Sequence, residues 1–287
     1  MSTKRRLKTK YKIIILFLPL CIFGLLWSRY ISTSGLVIKE YKVVNKKLPT
    51  SFNGLKIVHF TDTHYGRTTN NNDFKYLVSE INELKPDIVF FTGDLIDKDT
   101  VMNNKKKKEL IKHLNNLDAK IGKYAISGNH DLQFDEYDEI IEKSGFLNLT
   151  NSFDIIYSKE NDSIYIAGLE SEIIGSPDIK SIMQPIETGE KEDVPGYKIL
   201  LLHTPDTISK IKHNTFDLTL AGHSHNGQVR IPFIGAVTKP NGAKKYYNEY
   251  YKVGKTDLYI SSGIGTSTLN FRLFNKPSFN FYRLVNK

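Results

Sequence analysis

The sequence predicts an α/β fold organised around parallel strands. Residues 55–60 form an apolar run typical of a buried strand, residues 73–84 have helical periodicity, and residues 88–91 form a second buried strand. This order is that of a βαβ unit. Later apolar runs, including residues 258–260 and 279–284, predict strands of a second sheet.

Length and charge limit the classes of protein that the chain can belong to. With 287 residues and 40% hydrophobic content it can form a sizeable core, and residues 36–287 are predicted to be a single, monomeric catalytic domain. Six positive charges lie within residues 1–12, and removing them from the formal charge of +9 leaves +3. We therefore expect no nucleic-acid binding. Cys21 is the only cysteine, so an internal disulfide and a thiol enzyme are excluded.

The N-terminal segment has the pattern of a membrane anchor. Residues 1–12 form a basic flank, residues 13–31 are predicted to be a transmembrane helix or uncleaved signal, and residues 32–35 form a tether. The basic flank should stay in the cytoplasm, which predicts a single-pass cell-membrane protein with an extracytoplasmic catalytic domain. Cleavage near residues 32–34 is the alternative.

Polar residues follow each predicted strand in the first half of the chain. After strand segments at 36–38 and 41–44, the strand at 55–60 leads to Asp-Thr-His at 62–64, and the strand at 88–91 leads to Gly-Asp-Leu-Ile-Asp at 93–97. Helices are expected at 105–117 and 136–144, on either side of a strand at 124–126 that leads to Gly-Asn-His-Asp at 128–131. In open α/β sheets, ligands bind at the carboxyl ends of the strands, where these motifs lie.

The second half repeats this arrangement. Segments 155–157 and 164–167 predict a β-meander, and residues 175–196 predict a surface loop around a short helix. A strand at 198–202 ends at His203, residues 207–212 look helical, and the run 216–220 leads to Gly-His-Ser-His at 222–225. Residues 228–231 are predicted to form a further strand of the second sheet.

The residues at these strand ends are those that bind divalent metals. Carboxylate, amide and imidazole groups without thiolate suit borderline-hard divalent ions, and a carboxylate can bridge two of them. The candidates are Asp62, His64, Asp94, Asn129, His130, His203, His223 and His225. No serine or cysteine nucleophile arrangement competes for them.

These motifs, in this order, resemble the signature of the calcineurin-like metallophosphoesterases, from about residue 55 to the C-terminus. The segment 222–235 and the later Ser-Gly-Ile-Gly-Thr-Ser at 262–267 resemble the membrane-anchored bacterial branch of the YkuE and YaeI type. The resemblance implies a four-layer α/β/β/α fold, two mixed sheets packed as a sandwich and flanked by helices. It also implies a phosphoester hydrolase with two divalent ions (Mn, Fe or Zn), whose shared hydroxide attacks phosphorus in line.

The resemblance also implies a role for each site residue. It implies that one ion is bound by Asp62, His64 and His225, and the other by Asn129, His203 and His223, with Asp94 bridging both. His130 would protonate the leaving oxygen or stabilise the transition state, and Asp97 would orient His130. Arg272 is a candidate contact for the substrate phosphate. Ser224 and Asn226 differ from the residues common in this branch and are expected to affect the shape of the pocket.

Several functions remain open from the sequence. The enzyme is expected to be a phosphodiesterase or pyrophosphatase acting at the membrane, including on lipid-linked substrates such as UDP-2,3-diacylglucosamine. The alternatives are a phosphomonoesterase acting on small or protein substrates and a non-catalytic metal-binding scaffold of the same fold. A scaffold would bind metal without turnover, and it would normally lack a ligand or His130, yet none of these residues is missing.

Overall fold

The computed structural model describes residues 2–189 and 194–287, in which helices flank two six-stranded sheets. The helices are α1 (Ser2–Leu26), α2 (Asn71–Glu83), α3 (Asn104–Asn115), α4 (Tyr137–Lys143) and α5 (Ile179–Thr188). The strands are β1 (Val37–Val44), β2 (Lys56–Phe60), β3 (Ile88–Phe91), β4 (Gly122–Ala125), β5 (Leu147–Asn148), β6 (Ser152–Tyr157), β7 (Ser163–Gly168), β8 (Tyr197–Leu202), β9 (Leu218–Ala221), β10 (Arg230–Ile231), β11 (Gly235–Ala236), β12 (Tyr250–Val253), β13 (Thr256–Ile260) and β14 (Ser278–Val285).

The first sheet has the order β1-β14-β2-β3-β4-β5. Strands β2 to β5 are parallel, as the βαβ pattern predicts, and β14 runs antiparallel to β2. Our assignment of residues 279–284 to the second sheet is therefore wrong. The strand is apolar on both faces, since Phe279 and Phe281 pack beneath the helices and Tyr282 and Leu284 pack between the sheets. Because β14 lies between β1 and β2 inside the sheet, both of its faces are buried.

The second sheet has the order β12-β13-β9-β8-β7-β6. Its inner strands β7, β8, β9 and β13 are parallel, and the edge strands β6 and β12 are antiparallel to their neighbours. The predicted meander corresponds to β6 and β7. Our assignment of residues 228–231 to the second sheet is wrong, because strand β10 is limited to Arg230–Ile231 and forms a separate hairpin with β11.

Three hydrophobic clusters define the layers. One lies between the sheets and includes Ile57 and Phe90 from the first sheet and Leu201 and Leu220 from the second. A second packs α2, α3 and α4 on the outer face of the first sheet, and a third packs α5 on the outer face of the second. The four-layer α/β/β/α prediction is confirmed.

Local sequence explains where the helices begin. Asn70 caps α2 by accepting the backbone N–H of Asn72 and Asp73, and Asp73 completes a capping box. The apolar positions of α2, including Phe74 and Ile81, face the core. The helix predicted at 207–212 is instead a 3₁₀ helix, Pro205–Lys210.

The N-terminal helix continues as a π-helical turn, Trp27–Ile31. The segment Tyr11–Ile31 is long and apolar enough to span a membrane, with a mean hydropathy of 2.0 over its best window. The predicted surface loop at 175–196 contains α5, and residues 190–193 of that loop lie outside the described part of the chain.

Candidate active site

The two sheets bring the candidate ligands to one edge of the sandwich. Asp62, Asp94 and Asn129 follow β2, β3 and β4 of the first sheet, and His203 and His223 follow β8 and β9 of the second. All five strands are parallel within their sheets, so their carboxyl ends collect polar groups from both layers. Sequence-distant residues thereby become neighbours.

The first cluster consists of Asp62, His64 and His225, whose ligand atoms lie within 4.8 Å of one another. The Nε2 atoms of His64 and His225 are 3.2 Å apart. Asp62 Oδ1 is 3.5 Å from Nε2 of His225 and 4.0 Å from Nε2 of His64. All three side chains are buried, so these donors converge on a volume shielded from solvent.

The second cluster consists of Asp94, His203 and His223. The distance from His203 Nε2 to Asp94 Oδ2 is 3.3 Å, and the same nitrogen lies 3.1 Å from Asn129 Oδ1. Nδ1 of His203 lies 2.7 Å from the carbonyl oxygen of Thr92, which fixes the ring with Nε2 facing the cluster. Four potential ligands therefore meet here.

Asp94 connects the two clusters. Its Oδ2 atom is 3.3 Å from His203 of the second cluster and 3.9 Å from His64 Nε2 of the first. Its other oxygen, Oδ1, accepts the backbone N–H of His130 at 2.8 Å. One carboxylate oxygen is thus held by the backbone while the other lies between the two sets of ligands.

One buried oxygen shows how the donor set fits divalent ions. Asp62 Oδ1 is buried and has no hydrogen-bond partner among the described residues, although burial of a bare carboxylate oxygen is costly. It faces two imidazole nitrogens that are themselves close together. Oxygen and imidazole donors without thiolate are the preferred ligands of Mn, Fe and Zn ions. The residues fit such ions at both clusters.

The electrostatics of the site favour a bound cation. Burial alone would lower the pKa of His203, but the neighbouring Asp94 carboxylate outweighs burial and raises that pKa to about 9. Burial, with the charge of His203, lowers the pKa of His223 to about 4, which leaves its ring neutral and able to act as a ligand. The negative field that holds a proton on His203 would equally stabilise a metal ion.

Backbone strain is concentrated in these loops. A positive φ is uncommon outside glycine, and it costs free energy that persists only when the surroundings impose it. Five candidate ligands have such φ angles: Asp62 (51°), His64 (47°), Asp94 (56°), His223 (64°) and His225 (46°). The loops therefore hold the side chains in orientations that an unstrained turn would not give.

Two glycines allow the loops to approach one another closely. A Cβ atom on Gly128 would lie 2.2 Å from Asp94 Oδ1, and one on Gly222 would lie 2.6 Å from Asp62 Oδ2. Real Cβ atoms do not approach this closely, so any side chain there would displace a candidate ligand.

Asp97 does not occupy the position expected of it. Its Oδ2 atom is 3.2 Å from His64 Nδ1 but 3.8 Å from His130 Nδ1. The nitrogen of His130 instead accepts the backbone N–H of Lys98 at 3.1 Å. Asp97 is therefore placed to orient His64, and a backbone amide has the orienting role that we had assigned to Asp97 at His130.

His130 lies beside the clusters and lines the adjoining cavity. Because its Nδ1 accepts a backbone N–H, a neutral ring carries its proton on Nε2. Nε2 is 3.9 Å from Asp94 Oδ2, on the side of the ring that faces the candidate ligands. The ring can therefore present a hydrogen-bond donor to a group bound in the site.

Arg272 does not reach the site, contrary to our expectation that it contacts substrate. Its side chain is completely buried. Nη2 donates to the carbonyl oxygens of Ser262 (2.8 Å), Gly263 (2.9 Å) and Gly265 (2.5 Å). These bonds fold the Gly-Ile-Gly segment around the guanidinium, so Arg272 has a structural role.

Asp131 is a positioning residue that the sequence analysis missed. Its Oδ1 accepts the backbone N–H of Leu95 (2.8 Å) and Ile96 (3.1 Å), and its Oδ2 accepts that of Gly128 (2.9 Å). The carboxylate thus joins the loop after Asp94 to the loop that carries the next ligand. The sequence signal that could have identified Asp131 is its position as the last residue of the Gly-Asn-His-Asp motif.

A cavity of about 920 Å³ adjoins the clusters. Asp94, His130 and His223 line one side of it, and residues 21–28 of the N-terminal segment line another. Asn226, expected to shape the pocket, is not among its lining residues, because its side chain bonds to Glu249 and Arg230. Ser224 does line the cavity.

Comparisons with known proteins agree with this geometry. The family model for the calcineurin-like phosphoesterases matches residues 55–227, which include every candidate ligand. The metallophosphoesterase YkuE of Bacillus subtilis is 31% identical over 262 residues, covering 90% of this chain and 88% of YkuE. The phosphodiesterase YaeI of Escherichia coli is 24% identical, covering 80% of this chain and 82% of YaeI.

A vertebrate relative also matches. The transmembrane protein with metallophosphoesterase domain of Danio rerio is 27% identical over 83% of this chain, which spans 55% of that protein's length. The matched family, the relatives and the paired His/Asp clusters agree with one another. The chain belongs to the calcineurin-like phosphoesterase family, within its YkuE and YaeI type branch, and it is a metallophosphoesterase.

Proposed function

We propose that the protein is a two-metal phosphodiesterase or pyrophosphatase that acts on substrates at the membrane. The observation that carries the proposal is that Asp94 Oδ2 lies within 4 Å of ligand nitrogens from both clusters, next to His130 and at the wall of one cavity. Mn, Fe and Zn are the ions whose preferences fit these donors.

Each cluster would hold one divalent ion. Asp62, His64 and His225 would bind the first, and Asn129, His203 and His223 would bind the second. Asp94 would contribute to both. When bound, the ions would supply Lewis-acid charge to a phosphoryl oxygen and lower the pKa of a water molecule towards about 7.

The protein groups around the ions would orient the reaction. His64 is held by the Asp97 carboxylate and His203 by the Thr92 carbonyl, so both rings are fixed before substrate binds. The Nε2–H of His130 faces the cavity and would donate a hydrogen bond to the leaving-group oxygen, a contribution of roughly 10²–10³ in rate.

The cavity supports a lipid-linked substrate, in the class of UDP-2,3-diacylglucosamine. It joins the candidate ligands to one face of the anchor segment, at Cys21, Gly24, Leu25 and Ser28. Their spacing is that of one helix face. A phosphoester headgroup at the clusters would thus have its apolar portion beside the membrane helix.

We also propose a single-pass cell-membrane protein whose catalytic domain lies outside, because the basic flank before the apolar helix should stay in the cytoplasm. Protease treatment of intact cells tests the side. Digestion of the catalytic domain is expected, and full protection would reverse the orientation.

The activity test uses the full chain in detergent with Mn²⁺ and a panel of monoesters, diesters and pyrophosphates. We expect hydrolysis of bis(p-nitrophenyl) phosphate and its loss in Asp94→Asn. The matched control is Asp135→Asn, which changes an exposed carboxylate outside the site. A metal-loaded protein that hydrolyses nothing in the panel would favour the scaffold alternative, and preference for monoesters would favour the phosphomonoesterase.

A further inference from the structure

Two loops beside the cavity expose large apolar side chains. Phe233 and Ile234 form the tip of the β10–β11 hairpin, and Leu269 and Phe274 lie in the loop before β14. Phe233 is 109% exposed, and the other three are between 63% and 76% exposed. We call these four residues the apolar rim. Single exposed apolar residues are ordinary, but a cluster of this kind at the mouth of a cavity marks an interaction surface.

The backbone holds two of these side chains outward at a cost. Phe233 has a φ of 68° and Phe274 a φ of 50°, a conformation that is an outlier for bulky residues. Strain and exposure of aromatic rings are both unfavourable in water. A partner that accepts the rings would offset these costs.

The rim is tied to the end of the membrane helix through a short chain of hydrogen bonds. Ser28 Oγ donates to the carbonyl of Arg272 at 2.8 Å, and the N–H of Arg272 donates to the carbonyl of Ser28 at 3.0 Å. The neighbouring Leu273 accepts the N–H of Arg230, at the base of the hairpin, at 3.0 Å. These bonds connect the helix end to both loops of the rim.

The depth of the helix end in a bilayer can be inferred from its aromatic residues. Trp27 and Tyr30 are exposed and flank Ser28 at the end of the apolar segment, where aromatic side chains settle at the membrane–water interface. Because Ser28 is bonded to Arg272, the loop that contains Leu269 and Phe274 lies at that same interface.

The cavity shows that the hairpin is on the same side as the helix. Val237, which follows the hairpin, and Leu269 line the cavity opposite Cys21 and Leu25 of α1. Cys21 lies ten residues before Ile31, the end of the apolar segment, which corresponds to about 15 Å along a helix axis. This distance is half the thickness of a hydrocarbon core of about 30 Å. The cavity wall thus extends to bilayer depth.

We propose that the apolar rim inserts into the lipid bilayer beside the helix, as a second membrane contact that turns the mouth of the active-site cavity toward the lipid. The proposal rests on the membrane assignment of the proposed function, and not on its substrate. It predicts that the active site takes up substrate directly from the membrane surface. A second copy of the chain or a soluble protein as the occupant would contradict it.

The test measures membrane depth at single positions of the full-length chain. Phe233→Cys and Leu269→Cys are made in a Cys21→Ser background, labelled with NBD and reconstituted into phosphatidylethanolamine–phosphatidylglycerol vesicles. The control is Tyr157→Cys, which lies at the end of edge strand β6, opposite the carboxyl ends of the parallel strands. Some of the vesicles carry nitroxide on the lipid acyl chains.

The expected result is blue-shifted NBD emission and quenching by nitroxide lipid at 233 and 269, with neither effect at 157. Shielding from water without lipid quenching would indicate a protein partner and overturn the proposal, as would water-exposed labels at both rim positions. Hydrolysis of bis(p-nitrophenyl) phosphate is measured in parallel with the unlabelled wild-type chain in the same vesicles, because Cys21 and Leu269 line the active-site cavity. If lipid quenching is seen at the rim and the wild-type chain does not hydrolyse the diester, the phosphodiesterase proposal fails and the membrane contact stands.

Discussion

Asp97 Oδ2 lies at ion-pair distance from Nδ1 of His64, 3.2 Å, and both atoms are buried without a hydrogen bond to any described residue. A carboxylate behind a ligand imidazole fixes the ring and raises its basicity. The pair therefore gives Asp97 a role in metal binding at the first cluster.

We predict that Asp97→Asn weakens Mn²⁺ binding by about 10- to 100-fold, because the ring of His64 loses its charged partner. Calorimetric titration of metal-free protein with Mn²⁺ measures this effect, and excess metal should restore most of the turnover. The control is Asp99→Asn, which alters an exposed carboxylate two residues away. Unchanged Mn²⁺ affinity in Asp97→Asn, together with a loss of turnover as large as that of His130→Ala, would instead support the original assignment of Asp97 to His130.

A second prediction concerns Arg272, whose guanidinium donates to five backbone carbonyl oxygens inside the protein, three of them through Nη2. Arg272→Met should lower the free energy of unfolding by about 3 kcal/mol, because it leaves buried carbonyl groups unpaired. Chemical denaturation of the full chain in detergent measures the change. Arg283→Met, at an exposed position on β14, should stay within about 0.5 kcal/mol of wild type.

The alternative outcome for Arg272→Met is equally specific. Wild-type stability with a raised KM for bis(p-nitrophenyl) phosphate would show that the residue contacts substrate, as its position in the sequence suggested.

The ligand set could be predicted from sequence because each ligand follows a short buried strand. Parallel strands bring their carboxyl ends to one edge of their own sheet, and in the structure these edges of the two sheets lie together, which brings the motif at 62–64 to the motif at 222–225. Local pattern and topology point to the same edge of the sandwich. This part of the site needed no information about side-chain packing.

Other features depend on contacts that sequence does not specify. Pairing of β14 with β2 joins segments more than 200 residues apart, and no local pattern distinguishes the two sheets as its destination. Arginine is mostly exposed in proteins, so the complete burial of Arg272 ran against the residue's usual behaviour. The left-handed φ of Asp62 and His225 arises from surrounding packing, since neither residue type requires it.

A third prediction tests the close approach of two ligand loops. In Gly128→Ala the added Cβ would lie 2.2 Å from Asp94 Oδ1, so the Asp94 loop must shift, at a cost of about 1–3 kcal/mol. We expect bound metal and turnover to fall together. In the control Gly196→Ala, the nearest atom to the added Cβ is 3.7 Å away, and both should be unchanged. Normal metal content in Gly128→Ala would show that the loop adapts without moving Asp94.

The last prediction separates metal binding from hydrogen-bond donation at His130. Its Nδ1 accepts the N–H of Lys98, so the proton of a neutral ring is on Nε2, toward the cavity. His130→Ala, which removes this donor, should keep two bound Mn²⁺ ions, measured by elemental analysis, while kcat falls about 10²- to 10³-fold. The fall should be smaller for a diester whose leaving group is a weak base, because its leaving oxygen gains less from a hydrogen bond. Loss of metal in His130→Ala would indicate that the residue is a ligand, and an equal fall for all leaving groups would remove its role at the leaving oxygen.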